Sequence, residues 1–169
     1  LKKNLVLIGM MAVGKSTIGR LLSKKLGMEF ADLDNTIERR ESLTIKEIFD
    51  RKGEAYFRKI EENEGLNIIK NGAKIIALGG GTFINDKVRE EVKKTCFSVW
   101  LDLSSTEIFK RVEKSKSRPL LLKAKSVGDI ENIYSSRKKI YSLANYRLDC
   151  ASKNTESIVN EIIEIYENI

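Results

Sequence analysis

The chain has 169 residues, enough for one domain that buries most of its apolar surface in a two- or three-layer core. Lys and Arg number 31 against 24 Asp and Glu, a net charge of +7, and histidine is absent, which excludes imidazole triads, helical zinc-protease motifs and most zinc sites. Any general base is therefore a carboxylate or water, and Cys96 and Cys150, without metal-ligand spacing, read as buried free thiols.

Leu1-Lys2-Lys3 runs straight into the apolar segment Leu5 to Ile8, leaving no room there for a secretory core, and no later apolar run is long enough to cross a bilayer. A cytoplasmic protein is expected. Residues 9–17 then read Gly-Met-Met-Ala-Val-Gly-Lys-Ser-Thr, the glycine-bounded loop that wraps nucleotide phosphates. Gly9 and Gly14 permit turn dihedrals that a Cβ obstructs, and backbone N–H groups converge on the phosphates at the start of a helix near Lys15. Lys15 is placed to reach the β- and γ-phosphates, and the Ser16 hydroxyl suits the Mg²⁺ that bridges them. A chance match in a glycine turn is the bland alternative. Against it stand the preceding strand and the amphipathic run Ile18, Leu21, Leu22, Leu26. The loop alone does not separate a small-molecule kinase from a GTPase or ATPase.

Further strands are predicted at Ala73 to Leu78 and Cys96 to Leu101, with weaker ones at Glu29 to Ala31 and Arg147 to Cys150. The Leu5, Ala73 and Cys96 segments lack polar alternation, as parallel strands buried on both faces do. Helical patterns fall near 15–26, 34–41, 44–70, 86–94, 105–114, 126–144 and 155–168, with a capping box at Thr44 and Glu47 and simpler caps at Ser105 and Asn154. Alternation of strands and helices predicts an open α/β sheet with ligands at the strands' carboxyl ends. No linker or repeat divides the chain, so one domain spans 1–169.

Phe30-Ala31-Asp32-Leu33-Asp34 closes the second strand, and in an extended backbone both aspartates project to one side, which suits metal and acceptor chemistry; the plainer reading is a helix cap at Asp34. Arg58 and Glu61, three apart on a helix, can touch, so that the carboxylate preorganises the guanidinium toward a bound anion; taken alone, a surface ion pair fits better. Gly79-Gly80-Gly81 follow a strand that in many phosphate-loop proteins ends in a magnesium-holding Asp, for which Asp32 is the natural substitute here. Ser117-Arg118-Pro119-Leu120-Leu121 interrupts a basic stretch and reads as a lid, about 112–125, that carries an arginine to the transferred group. Arg137 and Tyr141 fall one helical turn apart, offering a second arginine to the acceptor pocket.

These elements in this order resemble the shikimate kinase family through essentially the whole chain: the phosphate loop, Asp-x-Asp at 32–34, Gly-Glu-x-x-Phe-Arg-x-x-Glu at 53–61, the triple glycine, Arg-Pro-Leu-Leu at 118–121 and Arg-x-x-x-Tyr at 137–141. The resemblance implies a three-layer P-loop kinase fold of the nucleoside monophosphate kinase type, with a five-stranded parallel sheet in the order 2-3-1-4-5. It implies transfer of the ATP γ-phosphate to the 3-hydroxyl of shikimate by a monomer, with a substrate-binding region at about 32–61. Asp34 would hold the acceptor hydroxyl. Arg58 and Arg137 would bind the carboxylate, Glu61 would orient Arg58, and Phe57 with Gly79, Gly80 and Gly81 would line the substrate. Lys15 and Arg118 would stabilise the transferring phosphoryl; Ser16 and Asp32, the latter through water, would hold Mg²⁺. Gly9, Met11, Ala12, Val13, Gly14, Lys15, Ser16 and Thr17 would surround the nucleotide, with Arg111 along adenine and Thr155 near it. Three positions depart from the family: Ala12 where the loop usually has glycine, Thr155 near an adenine-packing proline of some members, and Ile140 where many have proline. The rival readings are a gluconate or nucleoside monophosphate kinase and a nucleotide switch or nucleic-acid binder. Neither a guanine-recognition Asn-Lys-x-Asp nor an RNA-binding aromatic signature is present, and no membrane or nucleic-acid partner is expected.

Overall fold

A computed structural model describes residues 3–70, 72–114 and 126–169. Five strands, β1 (Asn4–Ile8), β2 (Glu29–Asp32), β3 (Lys74–Ala77), β4 (Cys96–Asp102) and β5 (Tyr146–Asp149), form one parallel sheet in the order β2-β3-β1-β4-β5, as the resemblance implies. Every residue of β1 and β4 is buried, while the edge strands β2 and β5 keep exposed positions. Asn4, the first residue of β1, is buried with both ends of its amide satisfied: Nδ2 donates to the Ile69 carbonyl at 2.7 Å and Oδ1 accepts from Lys74 N at 2.8 Å.

The helices among the described residues are α1 (Lys15–Leu26), α2 (Leu33–Glu41), α3 (Ile45–Lys70), α4 (Asp86–Thr95), α5 (Ser105–Glu113), α6 (Val127–Tyr141) and α7 (Thr155–Glu167). The Thr44 capping box forms, with Thr44 N donating to Glu47 Oε2 at 2.8 Å and Glu47 N to Thr44 Oγ1 at 3.2 Å. Asn154 caps α7 by accepting from Ser157 N at 2.8 Å. Ser105, expected as a cap, is instead the first residue of α5; its neighbour Ser104, in extended backbone, accepts from Glu107 N at 3.3 Å. Cys150, expected within the last strand, follows β5 directly, and both cysteines are buried and free.

Two local departures shape the site. The stretch 44–70, expected as one continuous helix, is broken at Gly53, whose φ of 84° and ψ of 167° are open to glycine and strained for other residues. The break turns α3 into two limbs, and both contribute to one cavity. Extended backbone was expected through Asp34, but it stops at Asp32, whose carboxylate accepts from Asn35 N at 3.3 Å and caps α2. Asp34 lies in the first helical turn, so the capping role expected there belongs to Asp32.

Helix α1 packs against β1, β2, β3 and α7, α4 against β4 and α3, and α5 against α6. Trp100 and Tyr141, both buried, meet at 5.9 Å between ring centroids and tie β4 to α6.

Candidate active site

At the end of β1 the backbone turns through residues 9–14 into α1. Gly14 occupies the N-cap position at φ 107° and no side chain caps the helix, so the first N–H groups of α1 are left to a ligand. Lys15 is buried and folded back on its own loop, Nζ donating to the carbonyls of Gly9 at 2.7 Å and Met10 at 2.8 Å. Ala12, Gly14, Lys15, Ser16 and Thr17 line a cavity of about 280 Å³ with Asp32, Asp34 and Arg111. Gly9 and Val13 do not line it; their carbonyls serve the side chains instead. Arg111, expected along adenine, directs Nη1 to the carbonyls of Val13 at 2.9 Å and Ala12 at 3.3 Å.

A second cavity of about 270 Å³ adjoins the first, and Ser16, Asp32 and Asp34 line both. Its walls come from Met11, expected with the nucleotide, from Ile45 and Phe49 on one limb of α3 and Phe57, Arg58 and Glu61 on the other, and from Gly79, Gly80 and Gly81. The glycine loop is crowded by side chains from distant elements. A Cβ on Gly79 would lie 2.9 Å from Thr82 Oγ1, 3.0 Å from Asp34 Oδ1 and 3.1 Å from Glu61 Oε1. One on Gly80 would lie 3.2 Å from Arg137 Nη1, and one on Gly81 2.6 Å from Arg58 Nη1. The triple glycine is thus what lets the Asp34 and Glu61 carboxylates and the Arg58 guanidinium close on one cavity wall, while Arg137, expected in the acceptor pocket, packs against Gly80 without itself lining the cavity.

The two arginines differ electrostatically. Arg58 Nη1 donates to Glu61 Oε2 at 2.8 Å and Nη2 faces Glu54 Oε1 at 3.4 Å. Burial works against its charge, but these carboxylates outweigh that and hold the guanidinium above the ordinary arginine pKa. Glu61 is itself fixed on its other oxygen by the Thr82 hydroxyl, 2.7 Å away and fully buried. Arg137 has no carboxylate at ion-pair distance among the described residues, and its Nη1 is buried against the glycine wall without a hydrogen-bond partner.

Ser16 Oγ donates to Asp32 Oδ2 at the boundary of the two cavities. A hydroxyl and a carboxylate, hard oxygen donors beside a phosphate-binding loop, fit Mg²⁺, which takes few protein ligands and completes its shell with phosphates and water. Among the described residues no group of three or more acidic or thiol side chains forms an all-protein metal cage.

A family model for shikimate kinase matches residues 11–167. The chain belongs to the shikimate kinase family. The shikimate kinase of Sulfurihydrogenibium sp. (strain YO3AOP1) is 38% identical over 95% of this chain and 96% of its own. Among solved structures, shikimate kinase from Acinetobacter baumannii in complex with shikimate superposes with a TM-score of 0.93 at 29% identity, over 99% of this chain and 94% of that one. Shikimate kinase from Aquifex aeolicus gives 0.85 at 37%, over 98% and 96%.

The three departures from shikimate kinase pattern fall differently. Ala12 adopts φ 61°, a left-handed conformation with its Cβ in place. Thr155 is exposed at the start of α7, and Ile140 is half-buried within α6; neither lines a cavity. Arg118, and residues 115–125 of the lid, lie outside the described residues. Sequence reading missed Thr82, and it missed Arg20, Asn35 and Glu38 on the wall of the second cavity. Helical spacing from Ser16 and Asp34 was the available signal for Arg20 and Glu38, each one turn onward. No sequence signal marks Thr82.

Proposed function

We propose that this chain transfers the γ-phosphoryl group of ATP to the 3-hydroxyl of shikimate, giving shikimate 3-phosphate and ADP, with the phosphate-loop cavity holding the nucleotide and the adjoining cavity the acceptor. Family membership makes it a kinase that uses ATP with Mg²⁺. The observation that carries the site assignment is the shared boundary: Asp34 borders both cavities while Arg58 lies against Gly81 on the second cavity and Arg137 packs against the neighbouring Gly80. In this reading the two guanidiniums take the acceptor carboxylate, and the apolar faces of Ile45, Phe49 and Phe57 cover the ring.

The transition state of phosphoryl transfer is loose, with charge spread over the equatorial oxygens, so the protein chiefly positions reactants and supplies positive charge. Asp34 orients the acceptor hydroxyl and receives its proton late, when bond formation has made that oxygen acidic. Lys15 exchanges its carbonyl partners for phosphate oxygens. Ser16, with Asp32 acting through water, would hold the Mg²⁺, which when bound would neutralise part of the triphosphate charge. Arg118 and the lid, about 112–125, belong to the same reading, as does a substrate-binding region at about 32–61 within a single domain 1–169.

No described helix is long and apolar enough to cross a membrane. We further place the protein in the cytoplasm as a monomer acting on small molecules, with no nucleic-acid or membrane partner; two unpaired buried cysteines accord with a reducing compartment. A coupled ADP-release assay with shikimate, gluconate and nucleoside monophosphates tests the function. Turnover with shikimate alone is expected, and turnover with gluconate or a nucleotide in its place would overturn it.

A further inference from the structure

Outside both cavities a second polar cluster lies at the carboxyl end of β4. Asp102, the last residue of that strand, is 5% exposed. Its Oδ1 accepts from the Tyr134 hydroxyl at 2.9 Å, and its Oδ2 from Arg147 Nε at 2.8 Å and Nη2 at 2.6 Å. Arg147 in turn lies over the Trp100 ring, 5.2 Å from its centroid. A buried carboxylate is costly unless it is fully paired, and here every partner is supplied.

The partners come from different layers. Asp102 and Arg147 belong to neighbouring strands, β4 and β5, whereas Tyr134 belongs to α6. Along α6, Ile130, Tyr134, Arg137 and Tyr141 recur at intervals of three and four and share one face. Ile130 and Tyr141 are fully buried, and the Tyr141 hydroxyl donates to the Gly80 carbonyl of the acceptor wall. Arg137 therefore sits between two tyrosine ties, one to the end of β4 and one to the glycine loop.

This matters because Arg137 is steadied by the Tyr141 hydroxyl of its own helix and by no carboxylate among the described residues. Arg58 is oriented by Glu61, whereas no carboxylate orients Arg137 among the described residues, so its direction is set by where α6 lies. We propose that Asp102 and Tyr134, supported by Arg147, are positioning residues for Arg137: they fix α6 in the register that presents its guanidinium to the acceptor carboxylate. The proposal rests on the reading of Arg137 as an acceptor-binding group.

The test compares Tyr134→Phe, Arg137→Ala and the double variant in steady-state kinetics with shikimate and ATP, with thermal melts alongside. Tyr134→Phe is expected to raise the Michaelis constant for shikimate about three- to ten-fold, the loss of one hydrogen bond to a charged group, with kcat and the ATP constant within about two-fold. In the Arg137→Ala background the same change is expected to add less than about two-fold, because residues acting through one another are not additive. Arg147→Lys, which keeps the charge on Asp102 and loses the fork, gives the same signature more weakly and serves if Tyr134→Phe fails to fold. A lowered melting temperature with both Michaelis constants unmoved, or an equal effect with and without Arg137, would overturn the proposal alone. An Arg137→Ala enzyme with an unaltered shikimate constant would overturn the assignment of Arg137 and the proposal with it.

Discussion

Arg58 and Glu61 form an ion pair of unequal exposure: across a 2.8 Å contact the carboxylate side chain is 5% exposed and the guanidinium side chain 31%. The buried partner is the fixed one, held on its far oxygen by Thr82, and the guanidinium keeps an edge toward the cavity. Arg58→Ala is expected to raise the shikimate Michaelis constant about ten- to a hundred-fold, since a charge-assisted hydrogen bond is lost, with the ATP constant within about two-fold. Glu61→Gln, which keeps the shape but not the charge, is expected to have a smaller effect in the same direction. Initial-rate kinetics with each substrate varied in turn check both, and equal effects on the two substrates would refute a dedicated acid-binding site.

Asp34 borders both cavities and touches the space a Cβ on Gly79 would fill. Asp34→Asn preserves that shape while removing the proton acceptor. Turnover is expected to fall by about two to four powers of ten, with nucleotide affinity by titration nearly intact. Undiminished turnover would remove Asp34 from the chemistry.

The glycine wall allows the acceptor-binding and chemical contributions to be probed by substitutions two positions apart. Gly79→Ala places a methyl 2.9 Å from Thr82 Oγ1, 3.0 Å from Asp34 Oδ1 and 3.1 Å from Glu61 Oε1, whereas Gly81→Ala places one 2.6 Å from Arg58 Nη1. The first is expected to lower kcat and raise the shikimate constant together and the second to act mainly on the shikimate constant, each costing about ten-fold or more, as displaced site groups do. Far-ultraviolet circular dichroism and melts establish that both variants fold. A kcat effect confined to Gly81→Ala would contradict the placement of Asp34 at Gly79 and Arg58 at Gly81.

The parts of the site that were legible in the sequence are those whose geometry is local. The phosphate loop follows its strand directly, Arg58 and Glu61 are one helical turn apart, and three consecutive glycines announce close approach whatever approaches. The parts that were not legible depend on partners far along the chain. Thr82 meets Glu61 across 21 positions, and Tyr134 meets Asp102 across 32. Neither Thr nor Tyr at those positions differs in pattern from an ordinary core or helix residue. The broken α3 was missed because Gly53 sits in a strongly helical context, and only the demand that both limbs face one cavity reveals why the break is there. Adjacent serines at 104 and 105 gave equal cap signals, and backbone conformation chose between them.

Ala12 holds φ 61° in a loop flanked by Gly9 and Gly14. A left-handed alanine costs about 1–2 kcal/mol, while glycine costs about 0.5–1 kcal/mol in chain entropy. Ala12→Gly is therefore expected to be neutral or to stabilise by up to about 1 kcal/mol, and Ala12→Val, β-branched at positive φ, to destabilise clearly. Chemical denaturation of the three proteins checks the order, and a stabilising valine would contradict the left-handed assignment.

Cys150 supplies a prediction about pH. Burial pushes its thiol from the ordinary 9.0 up to about 11, and Sγ faces the Leu148 carbonyl at 3.6 Å. The fold thus favours the neutral thiol: its contribution to stability is whole below pH 9.0 and is lost as pH rises toward about 11. Because the thiolate is the reactive form, neither Cys150 nor the buried Cys96, whose thiol burial also pushes up, is expected to react with a disulfide reagent at pH 8 while the protein is folded. Both are expected to react at once in denaturant. Reagent uptake followed by absorbance counts the thiols in each state, and rapid modification of Cys150 in a native Cys96→Ser protein at pH 8 would show that the carboxyl end of β5 is open to solvent.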